Sequence, residues 1–169
     1  GPAKFPFDPS KIDAVILTHG HLDHTGKIPQ LVRAGFKGTI YGHYATSVIA
    51  RIIWEDTLHH DNNTHFFDQN DINATIARCV PIAYTIPMQI NDIEFTLKDA
   101  GHILGSSHIL MEYKGKRVLF SGDIGAEKTP LIRDPYTKWD KNIDAVVIES
   151  TYGSRVHKNR TATIEEFEM

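Results

Sequence analysis

The feature that most constrains this chain is a histidine-rich stretch directly after a short apolar run. Residues 18–26 read Thr-His-Gly-His-Leu-Asp-His-Thr-Gly, and they follow the run Ala-Val-Ile-Leu at residues 14–17. A short, continuous and β-branched apolar run predicts a buried strand, here over residues 12–18. Three histidines and one carboxylate therefore lie where a strand ends and a loop begins. This placement favours a metal site at the edge of a sheet.

Each of these polar side chains is a candidate metal ligand. In an extended loop, residues two apart point the same way, so His19 and His21 can hold one metal ion. Asp23 and His24 come where the chain bends into a helix, and they can face a second ion beside the first. Imidazole and carboxylate together suit zinc first, with manganese or iron as alternatives. A polar loop with incidental histidines is the other interpretation, and four ligand residues within six positions argue against it.

Two later turns offer the remaining ligands. Residues 99–106 (Asp-Ala-Gly-His-Ile-Leu-Gly-Ser) follow a predicted strand, and His102 is the candidate third histidine on the first metal. Their glycines are expected to let the backbone pass close to a metal ion. Asp123 ends the next strand, where one carboxylate can bridge two cations. A Gly-His pair is often structural and strand-end aspartates commonly form turns, so both assignments depend on the histidine-rich stretch.

A pair of divalent ions would determine the class of chemistry. Two ions about 3.5–4 Å apart can share a water molecule, lower its pKa towards neutrality and stabilise a developing oxyanion. The resulting hydroxide attacks a carbonyl carbon or a phosphorus atom. The ligand set by itself does not show whether the bond cleaved in the substrate is a C–O, a C–N or a P–O bond.

The motif His-x-His-x-Asp-His after a buried strand resembles the signature of the metallo-β-lactamase superfamily. The resemblance implies an α/β fold, a four-layered αββα sandwich with its metals at one edge. Residues 100–106 (Ala-Gly-His-Ile-Leu-Gly-Ser) resemble the third motif of the β-CASP branch, which acts on RNA or DNA. Residues 149–153 (Glu-Ser-Thr-Tyr-Gly) resemble the acidic motif A of that branch. The match is closest to bacterial and archaeal relatives of the pre-mRNA 3′-end cleavage endonuclease subunit.

This resemblance implies a role for each candidate residue. The implied metal ligands are His19, His21 and His102 on one zinc ion, Asp23 and His24 on the other, and Asp123 between them. Glu149 is not a ligand, because in the family this acidic residue partners a histidine that assists proton transfer. We predict Asp23 and Glu149 as the catalytic residues. The alternative for Glu149 is a strand-end acid that caps the following turn.

The family pattern is incomplete in this sequence. The family fold begins with strands before the histidine-rich stretch and adds a β-CASP cap domain after motif A. Here residues 1–11 precede the first predicted strand, and the sequence ends at Met169. We expect a leader or cloning remnant over residues 1–10 and a partial metallo-β-lactamase domain over residues 11–169. We expect activity of a full-length parent rather than of this fragment.

The missing parts predict unequal metal sites and open sheet edges. The first zinc site has all four ligands, whereas the second lacks a histidine that the family places in the cap domain. One tight and one weak site are therefore expected. Open sheet edges also predict self-association into a homo-oligomer.

Composition sets the remaining expectations. The 169 residues carry a formal net charge of −3, so any attraction to RNA phosphates must be local. A basic segment after motif A supplies predicted RNA contacts at Arg155, Lys158 and Arg160, with a solvated loop as the equal alternative. No apolar run approaches the ~20 residues of a membrane span. The single cysteine, Cys79, excludes a disulfide within the chain and indicates a cytoplasmic setting.

Periodicity and turn residues predict the order of elements along the chain. Helices are expected over residues 27–34, 46–60 and 68–79, with Asp23 or Thr25 capping the first. Strands are expected over residues 38–42, 82–86, 93–97, 107–113, 117–120 and 143–148. Five histidines outside the motifs receive plainer roles. We expect His43, His59, His60 and His65 to be solvated, and His108 to lie behind the site or to be simply buried.

Three functions are compatible with these residues. The leading hypothesis is a zinc-dependent ribonuclease that cleaves RNA phosphodiester bonds with a metal-bound hydroxide. The second is a small-molecule hydrolase of the same superfamily, such as a thioesterase or a lactonase. The third is a non-catalytic subunit that keeps the fold for assembly. Cleavage of single-stranded RNA separates the first two, and a metal content near zero would favour the third.

Overall fold

Two β-sheets packed face to face form the centre of the chain. A computed structural model describes residues 4–60, 66–139, 142–154, 163, 166 and 167. The first sheet has three parallel strands, β1 (Ala14–Ile16), β2 (Thr39–His43) and β3 (Cys79–Ile82), in that spatial order. The second sheet has five strands in chain order, β4 (Met88–Ile90), β5 (Ile93–Asp99), β6 (Ser107–Tyr113), β7 (Lys116–Phe120) and β8 (Ala145–Val147). Its pairs are antiparallel except for the parallel pair of β7 and β8.

Four helices of the described residues lie between the strands of the first sheet in sequence. They are α1 (Leu22–Thr25), α2 (Ile28–Arg33), α3 (Tyr44–His60) and α4 (Gln69–Ile76). A single 3-10 turn over Pro9–Lys11 precedes β1. α4 starts at a capping box, in which the Asp68 side chain accepts hydrogen bonds from the backbone N–H groups of Asn70 and Asp71. None of the described helices is both long and apolar enough to span a membrane.

Apolar side chains between the two sheets form the central core. Phe95 and Leu97 of β5 and Ile109 of β6 are buried, and they pack with Ile82 of β3 and with partly buried Ile16 of β1. Phe95 and Leu97 are two residues apart, as a strand with one buried face requires. The predicted half-buried strand over residues 93–97 is therefore confirmed.

The helices cover the opposite face of the first sheet. Leu31 of α2 packs with Ile40 of β2, and Trp54 of α3 packs with Ile72 of α4. The outer face of the second sheet is covered, in the part of the chain that the structure describes, by the segment after β7. There the Lys98 ammonium lies 4.7 Å from the centre of the Tyr136 ring. Helices, first sheet and second sheet give three successive layers, and the predicted α/β sandwich class is confirmed.

Within the described residues, part of the inner face of the second sheet has no strand opposite it. An apolar groove of about 450 Å³ opens there, and its walls come only from the second sheet and its hairpin turn. The lining side chains include Ile93, Met111, Val118 and Phe120. The edge strand β8 is also apolar and exposed along its length. The predicted self-association depends on open sheet edges, and β8 is one such edge.

Residues 68–86 depart from the predicted elements. The helix predicted over residues 68–79 ends at Ile76, and the strand predicted over 82–86 lies instead at Cys79–Ile82. Pro81 argues against a strand in the sequence, but β3 is an edge strand with one unpaired side, where proline is tolerated.

The helix predicted over residues 27–34 begins one residue later, at Ile28, and is preceded by a separate short helix. The histidine-rich stretch itself forms α1, and neither Asp23 nor Thr25 caps α2. The hydroxyl of Thr25 donates instead to the carbonyl oxygens of Gly20 and His21, and it stabilises the motif from within.

Candidate metal centre

The candidate site lies at one end of the sandwich, where three strands end. His19 and His21 follow β1, His102 follows β5, and Asp123 follows β7. β6 begins at the same end, and the N–H of its first residue, Ser107, donates to the carbonyl oxygen of Thr18 over 2.7 Å. This bond joins the two sheets directly beside the site.

Three histidines and one aspartate form the first donor set. The His19 Nε2 atom lies 3.1 Å from His21 Nδ1, which lies 3.2 Å from His102 Nε2. One carboxylate oxygen of Asp123, Oδ2, lies 3.7 Å from His19 Nε2 and 3.6 Å from His102 Nε2. The four ligand atoms all lie within 4.8 Å of one another.

These spacings fit a tetrahedral zinc ion. Four ligands at bond lengths of about 2.0–2.1 Å lie about 3.3–3.4 Å apart along the edges of a tetrahedron. Four of the six separations, from 3.1 to 3.7 Å, lie near that value, and all six are within 4.8 Å. Imidazole nitrogen and carboxylate oxygen are also the donor types that zinc accepts. The residues present therefore fit the metal that the motif predicts.

A second donor set adjoins the first around His24. Its Nε2 atom lies 3.4 Å from Asp23 Oδ2 and 3.3 Å from Asp123 Oδ1. The rings of His24 and His19 are 4.0 Å apart between centres, so the two sets are immediate neighbours. The side chain of Asp23 is 78% exposed, whereas that of His19 is fully buried. The first set is thus the more enclosed, with His19 buried and its other three members partly buried, and the second faces solvent.

Asp123 connects the two sets through its two oxygens. Oδ2 faces His19 and His102 of the first set, while Oδ1 faces His24 of the second. A carboxylate with one oxygen towards each set has the geometry of a bridging ligand. A bridging role for Asp123 stays a prediction.

Two hydroxyl groups that the sequence reasoning missed orient the donors. Thr18 Oγ1 lies 3.2 Å from Nδ1 of His19 and 3.5 Å from Nδ1 of His24, on the side of each ring away from Asp123. Ser106 Oγ accepts a hydrogen bond of 2.9 Å from the backbone N–H of His102. A ring partner such as Thr18 fixes the tautomer and orientation of a metal-binding histidine, whereas Ser106 fixes the backbone of the loop that carries His102. The one signal for them is proximity, because each hydroxyl lies within a motif already singled out.

Burial keeps two histidines of the first set, His19 and His102, neutral. Burial, reinforced by the neighbouring His24, His102 and His21 rings, lowers the pKa of His19 to about 3. Burial also lowers the pKa of His102, against the opposing effect of the Asp123 carboxylate. Only neutral imidazole binds a metal ion. At neutral pH these two side chains are therefore in the form that a ligand requires.

Glu149 lies beside the site but does not point into either donor set. Its Oε1 atom accepts a 2.7 Å hydrogen bond from the N–H of Ile124, and its own N–H donates to Ser121 Oγ over 3.1 Å. The bond from Ile124 holds the pKa of Glu149 below its usual value. Glu149 thus anchors the turn that carries Asp123. Its predicted part in proton transfer stays a prediction.

The glycines of the His102 loop serve a purpose other than the predicted one. Gly101 and Gly105 both have positive φ angles, of 66° and 81°. A Cβ atom at Gly101 would lie 2.6 Å from the nitrogen of Pro135, and one at Gly105 would lie 2.7 Å from the nitrogen of Thr46. These glycines make room for other protein segments rather than for a metal ion.

The remaining predicted residues differ in where they lie and in how exposed they are. Arg155, Lys158 and Arg160, together with His65 and the side chain of His60, lie outside the described residues. His59 is exposed, as predicted. His43 is half-buried and stacks on Tyr84 at 4.3 Å between ring centres, so the prediction of a solvated side chain is wrong for it. His108 is buried.

Two adjoining sets of nitrogen and oxygen donors at a strand-end edge of an α/β sandwich define the class of candidate metal-binding proteins. Sequence comparison assigns the family within it. Residues 2–155 match the family described as the metallo-beta-lactamase superfamily. The chain belongs to this superfamily.

Several relatives are nucleases by name. The chain is 34% identical over 165 residues to Ribonuclease TTHA0252 of Thermus thermophilus, covering 98% of this chain and 38% of that protein. It is 41% identical over 150 residues to an RNase J-like protein of Methanocaldococcus jannaschii, covering 87% and 33%. It is 30% identical over 168 residues to cleavage and polyadenylation specificity factor subunit 3-I of Arabidopsis thaliana, covering 95% and 24%. These relatives confirm the predicted resemblance to the β-CASP branch. The chain spans about a quarter to two fifths of their lengths.

Proposed function

We propose that this protein is a metal-dependent hydrolase that cleaves RNA phosphodiester bonds. The observation that carries the proposal is the position of Asp123, which presents one oxygen to each of two adjoining donor sets. Two such sets are the arrangement that phosphodiester-cleaving metal sites use. RNA as the substrate is supported by the ribonuclease relatives.

We propose zinc as the metal, held by the residues described above. His19, His21, His102 and Asp123 would hold one ion, and Asp23, His24 and Asp123 the other. When bound, the two ions would supply an activated water molecule and positive charge against the developing oxyanion.

The protein's own groups prepare the site for this chemistry. Thr18 orients the rings of His19 and His24, and the burial of His19 keeps its imidazole neutral. Glu149 restrains the turn that carries Asp123 through its bond to Ile124. We propose that Glu149 also takes part in proton transfer, together with exposed Asp23, which stands at the solvent side where a substrate would enter. Basic side chains at Arg155, Lys158 and Arg160 are the proposed contacts to RNA phosphates.

A cleavage assay with paired variants tests the proposal. The full-length protein, loaded with Zn²⁺, is incubated with end-labelled single-stranded RNA, and products are resolved by gel electrophoresis. We expect wild-type cleavage to disappear in Asp123→Ala, because both donor sets lose their shared ligand. Asp92→Ala is the matched control, since Asp92 is an exposed carboxylate in the turn between β4 and β5, on a different part of the sheet.

The alternatives predict different results in the same experiment. A thioesterase or lactonase would leave the RNA intact while hydrolysing a thioester or lactone in an Asp123-dependent manner. A non-catalytic assembly subunit would hydrolyse neither substrate and would contain almost no metal. Either result would contradict the proposed ribonuclease.

We further propose that the 169-residue chain self-associates and that the protein acts in the cytoplasm. Self-association is supported by the apolar groove beside Met111 and by the exposed edge strand β8. A cytoplasmic setting is supported by the single cysteine of the chain.

A further inference from the structure

His108 is a buried histidine that the proposed chemistry does not use. It is the second residue of β6 and only 5% exposed. Its neighbour Ile109 belongs to the core between the sheets, so the side chain of His108 lies on the opposite face. The Nδ1 atom of His108 lies 2.7 Å from the carbonyl oxygen of Ser121. Because a carbonyl oxygen only accepts hydrogen bonds, Nδ1 carries the proton and donates.

This hydrogen bond ties Ser121 to β6 just beyond the end of the ladder. The ladder between β6 and β7 ends at the pair of Ile109 and Phe120. Ser121, the next residue along, is held on its other side, where its N–H donates to the Val147 carbonyl over 2.9 Å. On the β6 side it is held by the side chain of His108. Ser121 is thus fixed from both neighbouring strands.

The same end of β6 also fixes the other sheet. The N–H of Ser107 donates to the carbonyl oxygen of Thr18, the residue before His19. The side chain of His108 holds Ser121, two residues before Asp123. Two consecutive residues of one strand therefore hold the two strand ends that carry His19 and Asp123, whose donor atoms are 3.7 Å apart.

We propose that His108 is a positioning residue of the metal centre, which holds the Ser121 carbonyl and thereby keeps the Asp123 carboxylate between the two donor sets. The inference rests on the metal-binding part of the proposed function and not on RNA as the substrate. Groups that orient metal ligands without touching the metal typically contribute 10–100-fold in affinity. The loss of the His108 donor is expected to fall in that range.

Three variants of the 169-residue chain separate positioning from general stability. His108→Leu removes the donor and keeps an apolar side chain of moderate size. His108→Asn keeps an N–H donor near the position of Nδ1. Leu110→Ala is the matched control, because Leu110 lies on the same face of β6, two residues further from Ser121, and loses only packing. Zn²⁺ affinity is measured by competition with a chromophoric chelator at fixed pH, well below the melting temperature of every variant.

The expected result is a weakening of Zn²⁺ binding of about 10-fold or more in His108→Leu, with His108→Asn within about 3-fold of wild type. Leu110→Ala is expected to lower the melting temperature without a change in affinity. Equal affinities of His108→Leu and wild type would overturn the inference, as would equal losses in His108→Leu and Leu110→Ala. A wild-type chain that binds no Zn²⁺ would instead overturn the proposed metal centre.

A measurement on the wild-type chain covers the case in which His108→Leu does not fold. Long-range ¹H–¹⁵N correlation spectra distinguish the two neutral tautomers of a histidine. The inference requires the Nδ1–H tautomer at His108, with the proton on the nitrogen that faces Ser121. The Nε2–H tautomer at that position would overturn it.

Discussion

Gly125 provides the sharpest test of how the site is assembled. It lies two residues after Asp123, where its segment crosses the loop that carries His102, and its N–H donates to the Ala100 carbonyl over 2.8 Å. A Cβ atom at Gly125 would lie 1.5 Å from the carbonyl oxygen of Gly101 and 2.6 Å from the nitrogen of His102. Both of these are backbone atoms, so no side-chain rotation can relieve the clash. Gly125→Ala must therefore move one backbone segment away from the other.

The size of that movement follows from contact distances. Cβ atoms in proteins essentially never come closer than 3.0 Å to a neighbouring atom, so the Gly125 and Gly101 segments must separate by about 1.5 Å. Metal sites tolerate deviations of about 0.2 Å in ligand distances. The His102 and Asp123 donors, now 3.6 Å apart, lie on the two segments that are forced apart. Since misplacement by about 1 Å commonly costs about 100-fold in function, we expect Gly125→Ala to weaken Zn²⁺ binding on the order of 100-fold.

The assay is Zn²⁺ competition titration of the 169-residue chain, with thermal unfolding in parallel. Gly115→Ala is the matched control, because a Cβ atom there meets nothing within 4 Å although its φ angle is +75°. The control should lose about 1–2 kcal/mol of stability through left-handed backbone strain and keep its Zn²⁺ affinity. If Gly125→Ala retains wild-type affinity, the close crossing of these segments does not set the ligand positions, and the reasoning fails.

Three further predictions follow from other contacts. Trp54→Phe should lower the free energy of unfolding by about 1–3 kcal/mol, measured by thermal or urea denaturation. The reason is the loss of the buried indole N–H, which donates to the Thr25 carbonyl over 2.9 Å. An unchanged free energy of unfolding would contradict this prediction. After dialysis against a weak chelator, the chain should retain about one Zn²⁺ ion, as measured by elemental analysis. Asp23→Asn should lower the affinity for the second, more loosely held ion only. Two ions held with equal affinity would contradict this prediction. Met111→Glu should abolish the concentration-dependent association of the chain, measured by sedimentation velocity. A charged side chain in the apolar groove opposes burial of that groove between two chains. A wild-type chain that is monomeric at all concentrations would refute this prediction.

Much of the candidate site could be predicted from the sequence, because most of its candidate ligands lie close together in the chain. His19, His21, Asp23 and His24 fall within six positions, and the structure places each of them in one of two donor sets. Strand ends then bring in distant residues, since chain segments that leave a sandwich at the same end must meet there. Asp123 could be chosen for this reason before its contacts were known.

Other features of the site depend on tertiary distances that local patterns do not contain. One such feature is the ring nitrogen that each histidine turns towards the donor set. His21 presents Nδ1, whereas His19 presents Nε2. The identity of the groups that Gly101 and Gly105 accommodate is another, because the contacting segments at Pro135 and Thr46 are far away in sequence. Propensity also misplaced β3, where pairing with β2 prevails over the local effect of a proline.

The predicted difference in affinity between the two metal sites has a structural reason. The first set draws its donors from the ends of β1, β5 and β7, which are tied together by backbone and side-chain hydrogen bonds such as that between Ser107 and Thr18. Its ligands are held in place before any ion arrives. The second set depends on Asp23, whose side chain is 78% exposed and must lose conformational freedom when it binds. Binding of the second ion therefore requires the ordering of the Asp23 side chain, which binding of the first ion does not. A further histidine ligand should reduce the difference in affinity between the two sites without removing it.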